Sequence, residues 1–128
     1  MGRGICAALR SLAERSAVRV ELRSVPEGRY STEVEATAYF VVSEALVNVA
    51  KHADADGARV RLSHPGSRLC LAVEDDGKGF EPNGARSGGL ANIRDRVEAL
   101  HGRLTIESRC GAGTSVRAEL PLPSPRAP

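Results

Sequence analysis

The sequence predicts an α+β fold, a layered sheet with helices packed on one face. Three observations lead there. Stretches with helical spacing of apolar residues alternate with stretches of strict in–out alternation. They follow one another as helix, strand, helix, two strands, helix, two strands. Each has one apolar side, which is buried only by stacking it on another layer. A chain of 128 residues accommodates one such core and one domain.

Taken in order, "GICAALRSLAER" sets Ile5, Leu9 and Leu12 at helical spacing. "VRVEL" alternates as a strand, and "SVPEGRY" reads as a loop. From Glu33 to about Ala53 a long helix is expected, with Val42, Ala45, Leu46 and Val49 as its apolar stripe. "ADADG" closes it. "ARVRLSH" and "RLCLAVED" are two strands around the turn "PGS", a hairpin. The Gly-containing loop "EPNGARSGG" leads into "LANIRDRVEALHG", where Leu90, Ile93, Val97 and Leu100 form a stripe ended by Gly102. "RLTIES" and "SVRAEL" are two more strands separated by "RCGAG", and the tail "PLPSPRAP" reads as frayed.

Composition excludes several classes. The chain is 41% hydrophobic and 27% charged, with a formal charge of +2. That balance and the scattered arginines argue against nucleic acid and against contact with a membrane. Cys6, Cys70 and Cys110 are odd in number and form no Cys-x-x-Cys pair, which disfavours zinc and suits a reducing, cytoplasmic setting. There is no signal-peptide h-region and no membrane-spanning run.

Polar residues gather at four places. On the long helix, Glu44, Asn48 and Lys51 fall within about 60° of one another. Phe40 and Val47 flank them and His52 follows. The trio suits a ligand, and it equally suits a solvated helix face. In "VEDDGKGF", Asp75 continues the row of Leu69, Leu71 and Val73, where alternation calls for a core residue. A carboxylate there either caps the following Gly loop or accepts hydrogen bonds from a ligand amine. "SGGLANI" places a glycine pair ahead of a helix, whose positive end suits phosphate or is simply a helix entry. Its spacing is not that of a dinucleotide-binding βα turn. "GAGTSV" sets Thr114 at the entry to a strand.

Together and in this order, the four places resemble the ATP-binding catalytic domain of sensor histidine kinases, in the superfamily of DNA gyrase, Hsp90 and MutL. "SEALVNVAKHA" is similar to its N box, "DDGKGF" to the first glycine box, "GGLANIRDRV" to the second and "GAGTSV" to the terminal Gly-x-Gly-Thr element. The pairing of "NVAKHA" with "GLANIRDRVEALHG" most resembles kinases that signal to NarL-type response regulators. The resemblance implies a two-layer α/β sandwich of the GHKL (Bergerat) type with a mixed sheet. It implies ATP and Mg²⁺ as ligands. Asp75 would accept from the adenine amino group, with Thr114 nearby, and Gly77 and Gly79 would let the backbone pass close to the nucleotide. Asn48 would coordinate Mg²⁺, Lys51 would reach the phosphates with His52 beside it also in the cofactor site, and Glu44 would act as base or position the attacking group. Gly89 and Leu90 would sit in the hinge of the lid over the nucleotide, with Gly88 before them also in the cofactor site.

Ser87 stands where the second box commonly has its first glycine, and the segment from Phe80 to Gly88 is short, so a small lid is expected. None of His52, His64 and His101 heads a long heptad-patterned helix. The resemblance therefore implies a catalytic half that needs a separate dimerisation and phosphoacceptor domain. The expected organisation is an N-terminal helix and strand over 1–29, the ATP-binding core over 30–122 and a disordered tail over 123–128. An anti-sigma-factor type serine kinase of the same fold and a non-catalytic nucleotide-binding module are the alternatives.

Overall fold

The computed structural model describes residues 4–16, 18–23, 30–49, 57–64, 66–75, 88–109 and 113–122. Eight elements run along the chain: α1 (Gly4–Arg15), β1 (Arg19–Arg23), α2 (Thr32–Asn48), β2 (Gly57–Ser63), β3 (Arg68–Asp75), α3 (Gly88–Ala99), β4 (Arg103–Arg109) and β5 (Gly113–Pro121). The strands form one mixed sheet in the order β1-β2-β3-β5-β4. β1 is parallel to β2 and every other pair is antiparallel. The α+β class, the hairpin and the mixed sheet are as the sequence predicts.

Cross-strand register explains the core. Leu62, Leu71, Ala118 and Leu104 lie side by side in one row across β2, β3, β5 and β4. Val60, Val73, Val116 and Ile106 form the next row. These rows share one face and, apart from half-buried Ile106, are buried with Ile5 and Leu9 of α1, Val41, Val42 and Ala45 of α2, and Ile93 and Val97 of α3 in one cluster. Helices thus cover one side of the sheet. Complete burial of a side chain of this size contributes about 1.5–3 kcal/mol, so the rows dominate the stability.

α2 begins where its capping residues dictate. The Ser31 hydroxyl accepts from the Val34 N–H at 3.2 Å, and the Glu35 carboxylate reaches back to the Tyr30 N–H at 2.9 Å. Together they satisfy two backbone donors that no helical carbonyl serves. Burial, with the Glu35 carboxylate beside it, pushes the Tyr30 phenol above its usual pKa. The Tyr30 ring meets the His64 ring edge-on, with centroids 5.5 Å apart. That contact ties the start of α2 to the β2–β3 turn. α2 has 17 residues, so it spans roughly 25 Å, close to the length of eight-residue β3. Its C-terminal turn therefore reaches the opposite end of the sheet, where β3 finishes.

Two boundaries depart from the sequence reading. α3 starts at Gly88, so both glycines lie within its first turn and not ahead of it. At its other end, Gly102 is not the residue that turns the chain. His101 carries the positive φ, 63°. Its N–H donates to the Glu98 carbonyl, and the Gly102 N–H to the Val97 carbonyl, each at 2.9 Å, which closes the helix by a Schellman motif. Gly102 is needed for space instead. A Cβ there would come within 2.5 Å of the Glu119 carbonyl oxygen and 3.0 Å of Leu120 and Val97 side-chain atoms. The extension of α2 beyond Val49 to about Ala53 expected from sequence lies outside the described residues.

The two positions should consequently respond in opposite directions. His101→Gly relieves a left-handed conformation that suits glycine and should stabilise the fold by about 0.5–1 kcal/mol. Gly102→Ala should destabilise it by about 1–3 kcal/mol through overpacking against backbone. Urea unfolding of both variants checks this, and a benign Gly102→Ala would contradict the packing assignment.

Candidate functional site

The helix-covered face of the sheet changes character in its last row. Beyond Val60, Val73 and Val116 come Ala58, Asp75 and Thr114, paired directly across β2, β3 and β5. Asp75 ends the inward row of β3 and is only 7% exposed. Ala58 on one side adds no polar group and little bulk, while half-buried Thr114 on the other adds a hydroxyl. Asp75 and Thr114 both engage in interactions within the chain. An ionised carboxylate has about four acceptor sites. The next β5 residue outward, Gly113, has φ 88°, a conformation that favours glycine. That glycine belongs to "GAGTSV", but the sequence reading singled out only Thr114.

α2 delivers its polar flank to the same end. Val34, Ala38, Val41, Val42, Ala45 and Leu46 are buried along one side, which sets the rotation of the helix. Glu44 and Asn48, four residues apart, then fall beside that stripe, both half-buried, whereas Val47 is 41% exposed. The Asn48 side-chain amide nitrogen is buried and has no hydrogen-bond partner among the described residues. Leaving such a group unsatisfied costs about 1–3 kcal/mol. Phe40, one turn before Glu44, lies under the Arg96 guanidinium of α3 at 4.3 Å from the ring centroid. This cation–π contact pins α3 to α2. It escaped the sequence reading because it requires knowing that the two helices are neighbours.

The structure thus brings Glu44, Asn48, Asp75 and Thr114 to one end of the molecule. Gly88, Gly89 and Leu90 open α3, where the first turn leaves backbone N–H groups without helical acceptors. Lys51, His52, Gly77 and Gly79 lie outside the described residues. Other chemistries find little support. Among the described residues no group of three or more His, Cys, Asp and Glu is placed to hold a metal by itself, and no helix is long and apolar enough to cross a membrane. Burial, then the Glu119 carboxylate, pushes the Cys70 thiol up despite the opposing effect of Arg68, so it is a poor nucleophile.

A buried carboxylate thus ends a central strand on the sheet face that α2, with Glu44 and Asn48, also covers. The chain belongs to the histidine kinase-, DNA gyrase B- and HSP90-like ATPase family, whose model matches residues 33–124. Its relatives include the signal transduction histidine-protein kinase/phosphatase UhpB of Salmonella typhimurium, 39% identical over 98 residues. That match covers 76% of this chain and 19% of UhpB. The corresponding kinase/phosphatase DegS of Brevibacillus brevis is 28% identical over 117 residues, covering 89% of this chain and 30% of DegS. The chain therefore spans less than a third of either protein. Among solved structures, the histidine kinase domain of the Erythrobacter litoralis EL346 blue-light activated kinase superposes with a TM-score of 0.71 at 27% identity. It covers 92% of this chain, which covers 61% of that domain.

The orphaned amide offers a direct test. Asn48→Leu replaces an unsatisfied buried polar group by an apolar one of similar size. It should leave the ligand-free fold as stable or make it more stable, by up to about 1–3 kcal/mol. Denaturant unfolding without nucleotide measures this, and a clear loss of stability would make Asn48 a structural residue.

Proposed function

We propose that this chain is the ATP-binding catalytic domain of a two-component sensor histidine kinase, transferring the γ-phosphoryl group of Mg-ATP to a histidine on a separate dimerisation domain. The observation that carries the reading is the polar last row of the sheet, buried Asp75 beside Thr114, with Asn48 and Glu44 of α2 directed to the same end. Residues 1–29 are proposed to belong to the same domain as the core over 30–122. Ile5, Leu9 and Leu12 of α1 join the common core cluster, which supports that division. The response regulator served by the whole kinase is proposed to be of the NarL type. The setting is cytoplasmic, where ATP is supplied and free thiols such as Cys6 and Cys70 persist.

In this reading Asp75 accepts a hydrogen bond from the adenine amino group, and its burial makes that charge-assisted bond selective. Thr114, its cross-strand neighbour, lines the adenine end. Gly77 and Gly79 bring backbone close to the nucleotide, Lys51 and His52 serve the phosphates, and Gly88, Gly89 and Leu90 carry the lid hinge. The Asn48 side-chain oxygen would hold Mg²⁺. An amide oxygen is a hard donor of the kind that ion takes, alongside substrate phosphates and water. When bound, the ion neutralises charge on the phosphates. Glu44, one turn earlier, orients the acceptor imidazole or takes its proton. Positioning supplies most of the catalysis in phosphoryl transfer, so the acceptor must be brought in line with the γ-phosphate.

Incubation with γ-labelled ATP tests the proposal. The chain alone should acquire little label. A dimerisation domain supplied in trans should become labelled on histidine, as an acid-labile phosphate, and Glu44→Ala should reduce that transfer more than it reduces ATP binding. Acid-labile label on the isolated chain would overturn the requirement for a separate acceptor. Acid-resistant label on a serine of another protein would favour the anti-sigma type of kinase.

A further inference from the structure

Alternation in the strands sends every second residue to the side of the sheet away from the helices, and there the arginines that look scattered in the sequence come together. Arg19 and Arg23 of β1, Arg59 and Arg61 of β2, Arg103 of β4 and Arg117 of β5 all project from this face. Glu21, Glu74, Glu107 and Glu119 are interspersed among them. The acids are too few to neutralise the bases. One Glu74 carboxylate serves both Arg59, at 3.8 Å, and Arg61, at 3.6 Å. Glu119 is taken by Arg68 at the sheet's end, at 2.6 Å. Arg103 and Arg117 have no ion pair among the described residues. The formal charge of the whole chain is only +2, so the positive excess is concentrated here.

The centre of the face has a definite shape. Arg61, Ala72 and Arg117 are direct neighbours across β2, β3 and β5. Adjacent strands are about 5 Å apart, so the two arginines stand about 10 Å from each other over an alanine floor. Guanidinium groups bind carboxylates through planar, often bidentate pairs. We propose that this face docks an acidic protein surface, with a carboxylate side chain of the partner entering over Ala72 between Arg61 and Arg117. The interspersed glutamates repel a continuous phosphate backbone. Among the described residues the face carries no aromatic side chain for base stacking and no large aliphatic one to enter a bilayer. A protein surface of mixed, mainly negative charge meets this pattern best. The proposal does not depend on the nucleotide reading.

The test uses the full chain and a twenty-residue poly-L-glutamate peptide, followed by amide chemical shifts. Shift changes should cluster on β2, β3 and β5 around Arg61, Ala72 and Arg117, and binding should weaken steeply with salt. Ala72→Glu places the chain's own carboxylate between the two arginines. It should raise the thermal midpoint and weaken peptide binding at least tenfold, with unchanged amide shifts on α1, α2 and α3 as the control for folding. Arg61→Glu combined with Arg117→Glu should abolish peptide binding. Shifts elsewhere, or parental affinity in Ala72→Glu, would overturn the proposal. So would tighter binding of this face to a single-stranded DNA oligonucleotide or to phosphatidylserine vesicles.

Discussion

The register of β3 between β2 and β5 is the constraint on which the rest depends. It aligns the apolar residues of the three central strands into continuous rows, and it makes the final row Ala58, Asp75 and Thr114. A shift by one residue would expose Leu69, Leu71 and Val73 and bury the Arg and Glu residues of the other face. Core burial therefore enforces the register, and the register in turn holds a carboxylate on the inner face. The position of Asp75 is thus a by-product of the strongest force in the fold.

The cost of this arrangement falls at one end of the molecule. Asp75 is a buried charge-bearing group, and Asn48 has a buried amide nitrogen with no partner among the described residues. Both sit where the last turn of α2 meets the end of the sheet, while the opposite end is closed by the Ser31 cap and the Tyr30–His64 contact. Stability is concentrated in the middle and at the capped end. In the proposed function, a bound nucleotide at the polar end would supply an acceptor to that amide nitrogen.

What the residues alone reveal follows from the range of each interaction. β3 and α1 were legible to the residue because alternation and helical spacing are local, and the same parity exposed Asp75 as an anomaly. The pairing of Asp75 with Thr114 was not legible as a contact. It requires β5 to lie between β3 and β4, an order that skips a strand in the sequence. The arginine face depends equally on register. The end of α3 misled for a different reason. Gly102 looks like a left-handed cap, yet its lack of a side chain serves close packing against β5, and His101 bears the left-handed conformation.

Calorimetric titration of Mg-ATP into the chain and into its Asp75→Asn variant tests the central claim most directly. The parent should bind in the micromolar to millimolar range, about −8 to −4 kcal/mol. Exchanging the carboxylate for an amide presents a donor where an acceptor is required, and losing a charge-assisted bond of about 1.5–3 kcal/mol should weaken ATP by roughly 10- to 150-fold. Unfolding curves establish that the variant is folded. Equal affinity of folded parent and folded Asp75→Asn would show that the carboxylate at the end of the central strand does not read the adenine.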